Sequence, residues 1–327
     1  MKKRIFRYFL GVSISISLIC ILPVSWAAEK YPSRSVELVC GMGPGSAPDV
    51  LNRIFARYME KYLGVPVVPT NKPGASQIMA ATYLANSRPD GYTIANMGNQ
   101  IFTAILSGQA TTFSLEDLRI VCQINSVCNT LAVTADSPWK TFQDFIDYAR
   151  KNPGVKYGNP GIGSGPHLRM EAVSRYAKLG LIAIPFKAGD GEVIPAVLGK
   201  HLPIGMISAG GALTQAAAGN MRILFSFDPP GDFGLDPATP HLRSVFGKDV
   251  PDLYISGYLW VQKKTPDEIV QVLEKVAEKM SKDQEFVSEI RKNNFGVKFV
   301  DSKTVKETLP EYISQMKDML RYVGLMK

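Results

Sequence analysis

Short apolar runs of β type alternate with helical patterns along most of this chain, and that alternation limits the folds available to it. Val36–Cys40 is extended, residues 50–63 carry apolar side chains at helical spacing, and residues 65–69 are extended again. A second helical stretch at 75–85 and a third extended run at 92–97 follow. A β-α-β-α-β order predicts a parallel sheet with helices on its faces.

The alternation resumes after a long extended stretch at residues 119–133, which we interpret as a crossover because the polar pair Asn125-Ser126 divides it. Further extended runs are predicted at 155–157, 181–185, 202–207, 221–227, 255–261 and 297–300, and helices at 139–151, 166–178, 191–198, 212–218, 266–280, 284–293 and 304–320. Two α/β units are the simplest account. Because the last helices lack enough strands for a separate domain, we expect them to return to the first unit.

The first 27 residues have the three parts of a secretory signal peptide. Residues 1–7 are basic, residues 9–24 are apolar, and Ser25-Trp26-Ala27 places small residues where a signal peptidase cuts. We expect cleavage near Ala27 and an exported, periplasmic protein. The alternative is an uncleaved membrane anchor, for which the apolar stretch is short.

The charge balance gives no reason to expect a nucleic-acid partner. The chain has 37 Lys and Arg against 29 Asp and Glu, and four of the basic residues lie in the leader, so 33 against 29 leave a net charge of +4. No basic cluster is interleaved with aromatic residues. No Cys or His spacing indicates a metal site, and we expect no cofactor.

Three cysteines, Cys40, Cys122 and Cys128, follow the leader. A straight extended chain would separate the last two by about 20 Å, whereas a disulfide needs Cα atoms within about 7 Å. We therefore expect free, mostly buried thiols. A tight turn at Asn125-Ser126 is the alternative that would permit a disulfide.

The first loop, residues 41–47, connects an extended run to a helix. Ser46 is expected to cap that helix, with Asp49 reaching back in a capping box. Free N–H groups and the helix dipole make such a start an anion site, although a plain turn is the alternative. The loop is neither a Walker motif nor a dinucleotide-binding fingerprint, because it lacks the lysine of the former and the third glycine of the latter.

The second loop, residues 161–167, repeats the arrangement. Ser164 is expected to cap a helix and face a ligand. It is a poor nucleophile candidate, because Ile162 and Pro166 occupy positions that a nucleophile elbow does not allow. His167, as a neutral imidazole, can donate to a carboxylate or form an ordinary structural hydrogen bond.

Two further strand ends offer weaker candidates. Lys187 could pair with an anion or be a solvated surface lysine, and Asp190 is a suitable helix cap. Ser208 could line the same cleft or sit in a small-residue turn. Paired carboxylates, metal spacing and a nucleophile–base pair do not accompany these loops, so the pattern favours a binding protein over an enzyme.

Six segments together resemble a known family. They are YPSRSVELV at 31–39, PGSAPDVLNR at 44–53, LGVPVVPTNKPGA at 63–75, PDGYTI at 89–94, GIGSGPHL at 161–168 and IPFKAG at 184–189. With these motifs in this order, the chain resembles the periplasmic substrate-binding receptors of the tripartite tricarboxylate transporter family, also called Bug-type receptors. The resemblance runs from about residue 31 to the C-terminus.

The resemblance implies an α/β fold of the two-domain periplasmic-binding-protein type (type II). Each domain would be a mainly parallel sheet flanked by helices, with the ligand cleft between the domains. Domain 1 would comprise residues 28–125 and 250–327, and domain 2 residues 126–249. The implied partners are a small organic acid, bound by a monomer, and the membrane permease subunits of a tripartite tricarboxylate transporter.

Carried over to this sequence, the resemblance implies a ligand site formed by Met42, Gly45, Ser46, Ala47, Asn96, Gly163, Ser164, His167, Ala188, Gly189, Asp190 and Ser208. The sequence departs from the family pattern at Gly45-Ser46, at Ser76-Gln77 and in the acid Asp190. These departures leave open an amino-bearing or less acidic ligand. An exported hydrolase that uses Ser164 and a ligand sensor of a signalling system are the alternative functions.

Overall fold

Two β-sheets organise the part of the chain that the computed structural model describes, residues 31–186, 189–293 and 295–327. The predicted leader lies outside these residues. The strands are β1 Val36–Cys40, β2 Val67–Asn71, β3 Thr93–Gly98, β4 Leu118–Val127, β5 Asn129–Thr134, β6 Lys156–Asn159, β7 Ile182–Pro185, β8 Ile204–Ser208, β9 Met221–Ser226, β10 Ile255–Gln262 and β11 Gly296–Asp301. The helices are α1 Ala47–Leu63, α2 Ile78–Ala85, α3 Gln100–Leu106, α4 Phe142–Lys151, α5 Gly165–Ala177, α6 Asp190–Leu198, α7 Ala209–Ala217, α8 Leu242–Phe246, α9 Asp267–Lys282, α10 Gln284–Lys292 and α11 Ser302–Tyr322.

The predicted two-domain α/β fold is confirmed, but both sheets are mixed rather than mainly parallel. The first sheet has the order β11-β4-β10-β3-β1-β2, in which β1 runs parallel to β2 and β3. Its remaining pairs, formed by β10 and β11, are antiparallel. The second sheet has the order β7-β6-β8-β5-β9, with β6 parallel to both neighbours and β5 antiparallel to both of its own. An apolar run indicates a strand, but it does not indicate whether that strand runs parallel or antiparallel to its neighbours. The sequence therefore could not give these directions.

Local sequence explains the first β-α unit. Leu38 and Val39 of β1, whose side chains point to opposite faces, are both fully buried, as expected of a strand covered on both faces. In α1, Leu51, Phe55 and Met59 face the core, and burying each contributes about 1.5–3 kcal/mol. The helix ends at Gly64, whose left-handed φ of 74° suits glycine.

The chain passes from the first sheet to the second at Cys128. β4 ends at Val127 and β5 begins at Asn129, so the extended stretch divides two residues after the predicted polar pair Asn125-Ser126. Both of those residues lie within β4 and are buried against β10, where the partner strand accommodates polar side chains. Cys40, Cys122 and Cys128 are free and buried, as expected.

The chain returns to the first sheet through β10 and β11, and α11 then packs against β4, α3 and α5. Tyr312 of α11 lies 4.8 Å from Tyr254 and 6.4 Å from Phe102, measured between ring centroids. Among the described residues, no helix is both long and apolar enough to span a membrane.

Asp283 joins the end of α1 to the start of α10. Its carboxylate accepts hydrogen bonds from Lys61 Nζ at 2.8 Å, from Tyr62 Oη at 2.8 Å and from the Glu285 N–H at 2.9 Å. The bond from Lys61 is the main reason that the pKa of Asp283 falls to about 2, and burial acts in the opposite direction. Folding therefore favours the charged form of the Asp283 carboxylate.

We predict that Asp283→Ala lowers the free energy of unfolding by about 1–2 kcal/mol at pH 7, because a helix cap and an ion pair are lost. The folded pKa lies below the ordinary value of 3.8, so this stabilisation is present above about pH 4 and is lost as the pH falls toward 2. Urea denaturation at several pH values measures it. Asp318→Ala, at an exposed i,i+3 pair, is the control. Equal losses in both variants would contradict the prediction.

Candidate functional site

The first loop is closed by a serine cap and a returning carboxylate. Ser46 Oγ accepts the Asp49 N–H at 3.4 Å and donates to the Gly43 carbonyl at 2.7 Å. Asp49 Oδ2 accepts the Gly45 N–H at 2.9 Å. The capping box predicted at Ser46 and Asp49 is therefore present in altered form, with the carboxylate bound one residue earlier than expected. Gly45 has φ of 78°, a left-handed conformation that glycine adopts without strain.

Both carboxylate oxygens of Asp49 accept hydrogen bonds that stabilise this loop. The side chain is buried, Asn71 Nδ2 donates to Oδ1 at 2.8 Å, and Arg53 Nε donates to Oδ2 at 3.0 Å. Burial alone would raise the pKa of Asp49, but the hydrogen bonds from Gly45, Asn71 and Arg53 outweigh it and lower the pKa. The carboxylate stays charged and is bound on both oxygens.

The second loop repeats this geometry with a histidine in place of the aspartate. Ser164 Oγ accepts the His167 N–H at 3.3 Å and donates to the Gly161 carbonyl at 2.7 Å. His167 Nδ1 accepts the Gly163 N–H at 3.1 Å, as Asp49 accepts from its glycine. The pattern Gly-Ser-x-Pro followed by an acceptor side chain thus builds the same helix start twice, at α1 and α5.

His167 is a neutral structural group behind its loop. The side chain is 3% exposed, and burial lowers the pKa of its imidazole to about 4. Since Nδ1 accepts a hydrogen bond, the ring proton is on Nε2. Among the residues that line the cavities described next, His167 is absent.

Two adjoining cavities lie between the loops. The outer cavity, about 510 Å³, has the first loop and residues 73–77 on one wall and residues 160–164 on the other. The inner cavity, about 140 Å³, lies against β4, β10 and the start of α5. They share Gly41, Met42, Gln77, Gln100 and Thr103. No charged side chain is among the described residues that line either cavity.

Some of the predicted site residues line these cavities, and others do not. Met42, Gly163 and Ser164 line the outer cavity, and Met42 and Asn96 line the inner one. Gly45, Ser46 and Ala47 shape the first loop without appearing on either wall. Ala188 lies outside the described residues.

A separate cluster contains Gly189, Asp190 and Ser208. Asp190 accepts the Ser208 N–H at 3.1 Å and the Ser208 hydroxyl, and Ser208 caps α7 by accepting the Gly211 N–H at 3.1 Å. None of the three lines a cavity. Asp190 therefore joins the start of α6 to the end of β8 and is not positioned as a partner for an ammonium group in either cavity.

Sequence reasoning missed Gln77, Gln100 and Thr103, which line both cavities. Gln77 Oε1 accepts the Gly98 N–H at 2.9 Å, and Gln77 Nε2 donates to Gln100 Oε1 at 2.8 Å. Gln100 and Thr103 lie on α3, a short helix that the periodicity did not reveal. The Pro-Gly turn before Gln77, at the carboxyl end of β2, was the available signal for this wall.

Backbone strain marks the same wall. Ala75, Ser76 and Gln77 have φ of 46°, 52° and 77°, three successive left-handed residues without a glycine. Each such residue costs about 1–2 kcal/mol. Gly41 makes room for them, since a Cβ there would lie 2.8 Å from Gln77 Cγ.

Comparisons with known proteins agree on one family. The family model described as "Tripartite tricarboxylate transporter family receptor" matches residues 51–325. The chain is 27% identical to the UPF0065 protein in the gbd 5′ region of Cupriavidus necator, over 100% of this chain and 99% of that protein. A TctC solute-binding protein from Polaromonas superposes with a TM-score of 0.78 at 27% identity, over 89% of this chain and 99% of that one. An R. palustris protein solved with adipate has a TM-score of 0.73 at 22% identity, over 90% and 98% of the two chains, which shows the shared fold.

We predict that acid destabilises this protein through His167. The folded pKa of about 4 lies below the ordinary value of 6.5, so the unfolded state takes up a proton first as the pH falls. Stability should decrease by up to about 3 kcal/mol between pH 6.5 and pH 4. His167→Asn removes the titrating group and keeps an acceptor for the Gly163 N–H, so its stability should fall less over this range.

Denaturant unfolding at half-unit pH steps measures this difference. His201→Asn, at an exposed histidine, is the matched control and should follow the parent protein. If His167→Asn loses stability as steeply as the parent between pH 6.5 and pH 4, the proposed neutral state of His167 is wrong.

Proposed function

Because the chain belongs to the tripartite tricarboxylate transporter receptor family, we propose that it is an extracytoplasmic receptor that captures a small organic carboxylate between its two sheets. The observation that carries this proposal is the pair of matching loops, residues 41–43 and 160–164, that line one cleft without a charged side chain among the described residues and that each lead into a serine-capped helix. The captured acid would then be delivered to a membrane permease.

The helix starts supply positive potential without a positive side chain. The N–H groups of Ala47 and Gly165 have no hydrogen-bond partner within the described part of the chain, and the next residue in each helix is a proline without an N–H. α1 has 17 residues and α5 has 13, so each dipole is fully developed at its N-terminus. A carboxylate near both ends would be stabilised by dipoles and N–H groups, directly or through water.

The absence of cations from the described part of the lining favours reversible capture. Burying a carboxylate against Arg or Lys forms contacts that are costly to break, because separation leaves an uncompensated charge. A receptor must release its ligand to a permease, and N–H groups that are solvated in the open cleft permit this. The solved R. palustris relative that holds adipate supports a carboxylate as the class of ligand.

The domain boundaries predicted from the sequence fit a hinge mechanism. Domain 1, residues 28–125 and 250–327, would close on domain 2, residues 126–249, by bending at the two connections between the sheets. The predicted leader, cleaved near Ala27, would place the receptor in the periplasm as a monomer.

The geometry at Ser164 argues against the alternative hydrolase. Its hydroxyl proton is donated to the Gly161 carbonyl, and its oxygen accepts a backbone N–H. The imidazole of His167 binds Gly163 instead, so it is not placed to take the serine proton. A sensor role uses the same binding step, and it would be favoured if the ligand response survives deletion of the permease.

We predict that a carboxylate raises the melting temperature of this protein. A screen of mono-, di- and tricarboxylates by thermal shift tests this, since a ligand at 100 times its Kd adds about 2.7 kcal/mol of stability. Neutral and amine solutes of similar size are the controls. If only those controls stabilise the protein, the carboxylate proposal is wrong.

Ser164→Ala separates the receptor from the hydrolase. Loss of the cap should cost about 1 kcal/mol of stability and weaken carboxylate binding, because the second loop loses its bond to Gly161. Ester turnover should be absent from both forms. Turnover in the parent protein that disappears in Ser164→Ala would instead support the enzyme.

A further inference from the structure

We propose that a groove on the first sheet binds a free medium-chain fatty acid, with its carboxylate at three lysines and its hydrocarbon chain against apolar walls. The groove, which we call the lysine groove, has a volume of about 620 Å³ and lies between α11 and the segments that begin β4 and end β10. It shares no lining residue with the two cavities of the candidate site. A fatty-acid site here is therefore additional to the proposed receptor function, and either can be wrong without the other.

The lysine groove lies at the opposite end of β4 and β10 from the inner cavity. Leu118, at the start of β4, and Trp260, near the end of β10, line the groove. Asn125 and Ser256, at the other ends of the same two strands, line the inner cavity. The extended chain from Leu118 to Asn125 spans about 20 Å. A molecule in the groove therefore occupies a different site from a ligand in the cleft.

Apolar side chains that keep part of their surface exposed form the walls of the lysine groove. Four aliphatic residues pack against the main hydrophobic core and are only partly buried: Leu115, Ile120, Leu309 and Ile313. The buried rings of Phe102 and Trp260, with centroids 5.7 Å apart, complete this part of the lining. Each methylene group that these walls remove from water should tighten the binding of a ligand by up to about fourfold.

Positive charge is the second property of the lysine groove. Lys263, Lys303 and Lys306 line it, their side chains are exposed, and none of the three ammonium groups forms an ion pair or a hydrogen bond among the described residues. A fourth cation, Arg119, already donates to Asp267 at 2.6 Å. No Asp or Glu is among the described residues that line the groove. The three lysines therefore complement an anionic group.

The carboxylates nearest to these lysines in the sequence are engaged at the start of α11. Asp301 accepts the Thr304 N–H at 2.7 Å, and this bond is the main reason that its pKa is lowered, with Lys303 contributing less. Glu274 accepts the Ser302 N–H at 2.6 Å. Both acids stabilise the helix start, so the ammonium groups remain available to a ligand.

The charged and apolar parts of the lysine groove follow one another along α11. Lys306, Leu309 and Ile313 have the i, i+3, i+7 spacing of a single helix face, which extends about 10 Å from the lysine to the isoleucine. A carboxylate head followed by a hydrocarbon chain has the same order.

Size and exposure favour a free acid over a protein segment or a membrane. A volume of about 620 Å³ is that of a small-molecule site. Binding to a bilayer surface requires apolar side chains that project from the protein, whereas here the lysines are exposed and the apolar walls are partly buried.

Isothermal titration with octanoate and decanoate, each below its micelle concentration, tests the fatty-acid site. We expect decanoate to bind about tenfold more tightly than octanoate, because two more methylene groups are buried. Decanol and decyltrimethylammonium are the matched controls, and both should bind more weakly than decanoate. If neither acid binds, or if all three ten-carbon compounds bind equally, the proposal is wrong. Binding to phosphatidylglycerol vesicles without binding of free acids would also overturn it, in favour of a membrane surface.

Variants distinguish the lysine groove from the cleft as the place where the acid binds. The double variant Lys303→Gln, Lys306→Gln should weaken decanoate binding about tenfold and leave decanol binding unchanged, because only the acid loses ion pairs. Lys151→Gln, at an exposed lysine on α4, is the control and should bind decanoate as the parent does. If Ser164→Ala abolishes decanoate binding and the double lysine variant retains it, the acid binds in the cleft. That result would overturn the lysine groove and leave the carboxylate receptor standing.

Fluorescence quenching locates the hydrocarbon chain. With Trp139→Phe, Trp260 is the only tryptophan after the predicted leader. Because Trp260 lines the groove, ω-bromodecanoate should quench its fluorescence over the same concentrations at which decanoate binds, and decanoate without bromine should not. Unquenched fluorescence at saturating ω-bromodecanoate would contradict the proposed position of the chain.

Discussion

The serine cap at the start of a helix is the interaction on which the candidate site depends. In both sheets the serine oxygen binds the N–H three residues later, and an acceptor side chain at the same turn binds the preceding glycine N–H. Asp49 and His167 perform this second task with different chemistry. Because both loops are closed internally, the shape of each loop does not depend on a ligand and is preorganised for binding.

Charged side chains stabilise the loops around the cleft, whereas uncharged groups form its described walls. Charged groups such as Asp49 and Asp190 hold the loops from behind, where their oxygens are bound, and the walls are left to backbone, amides and hydroxyls. On the described part of these walls, a ligand would meet dipoles rather than ions. Selectivity would then depend on how a ligand's polar atoms match fixed N–H and amide positions.

Features set by neighbouring residues were predictable from the sequence, and features set by distant ones were not. Val36–Cys40 and the caps at Ser46 and Ser164 follow from local patterns, and the structure contains them. The position of Gln77 depends on Gly41 and Gly98, which approach it only after the sheet has formed. For the same reason the sequence implicated His167 as a ligand contact, although burial turns it toward its own loop.

The return of β10 and β11 to the first sheet has a consequence for the order in which this molecule can be built. The second sheet uses strands from a single continuous stretch, Asn129 to Ser226, so all of its partners are present once that stretch has emerged. The first sheet has β10 at its centre, which needs the chain as far as residue 262, and it is complete only with β11, which ends at residue 301. In a chain that emerges from its N-terminus, the second sheet therefore has its complete set of strands first, although it begins later in the sequence. Strands β1 to β4 of the first sheet remain without β10 until that strand has emerged.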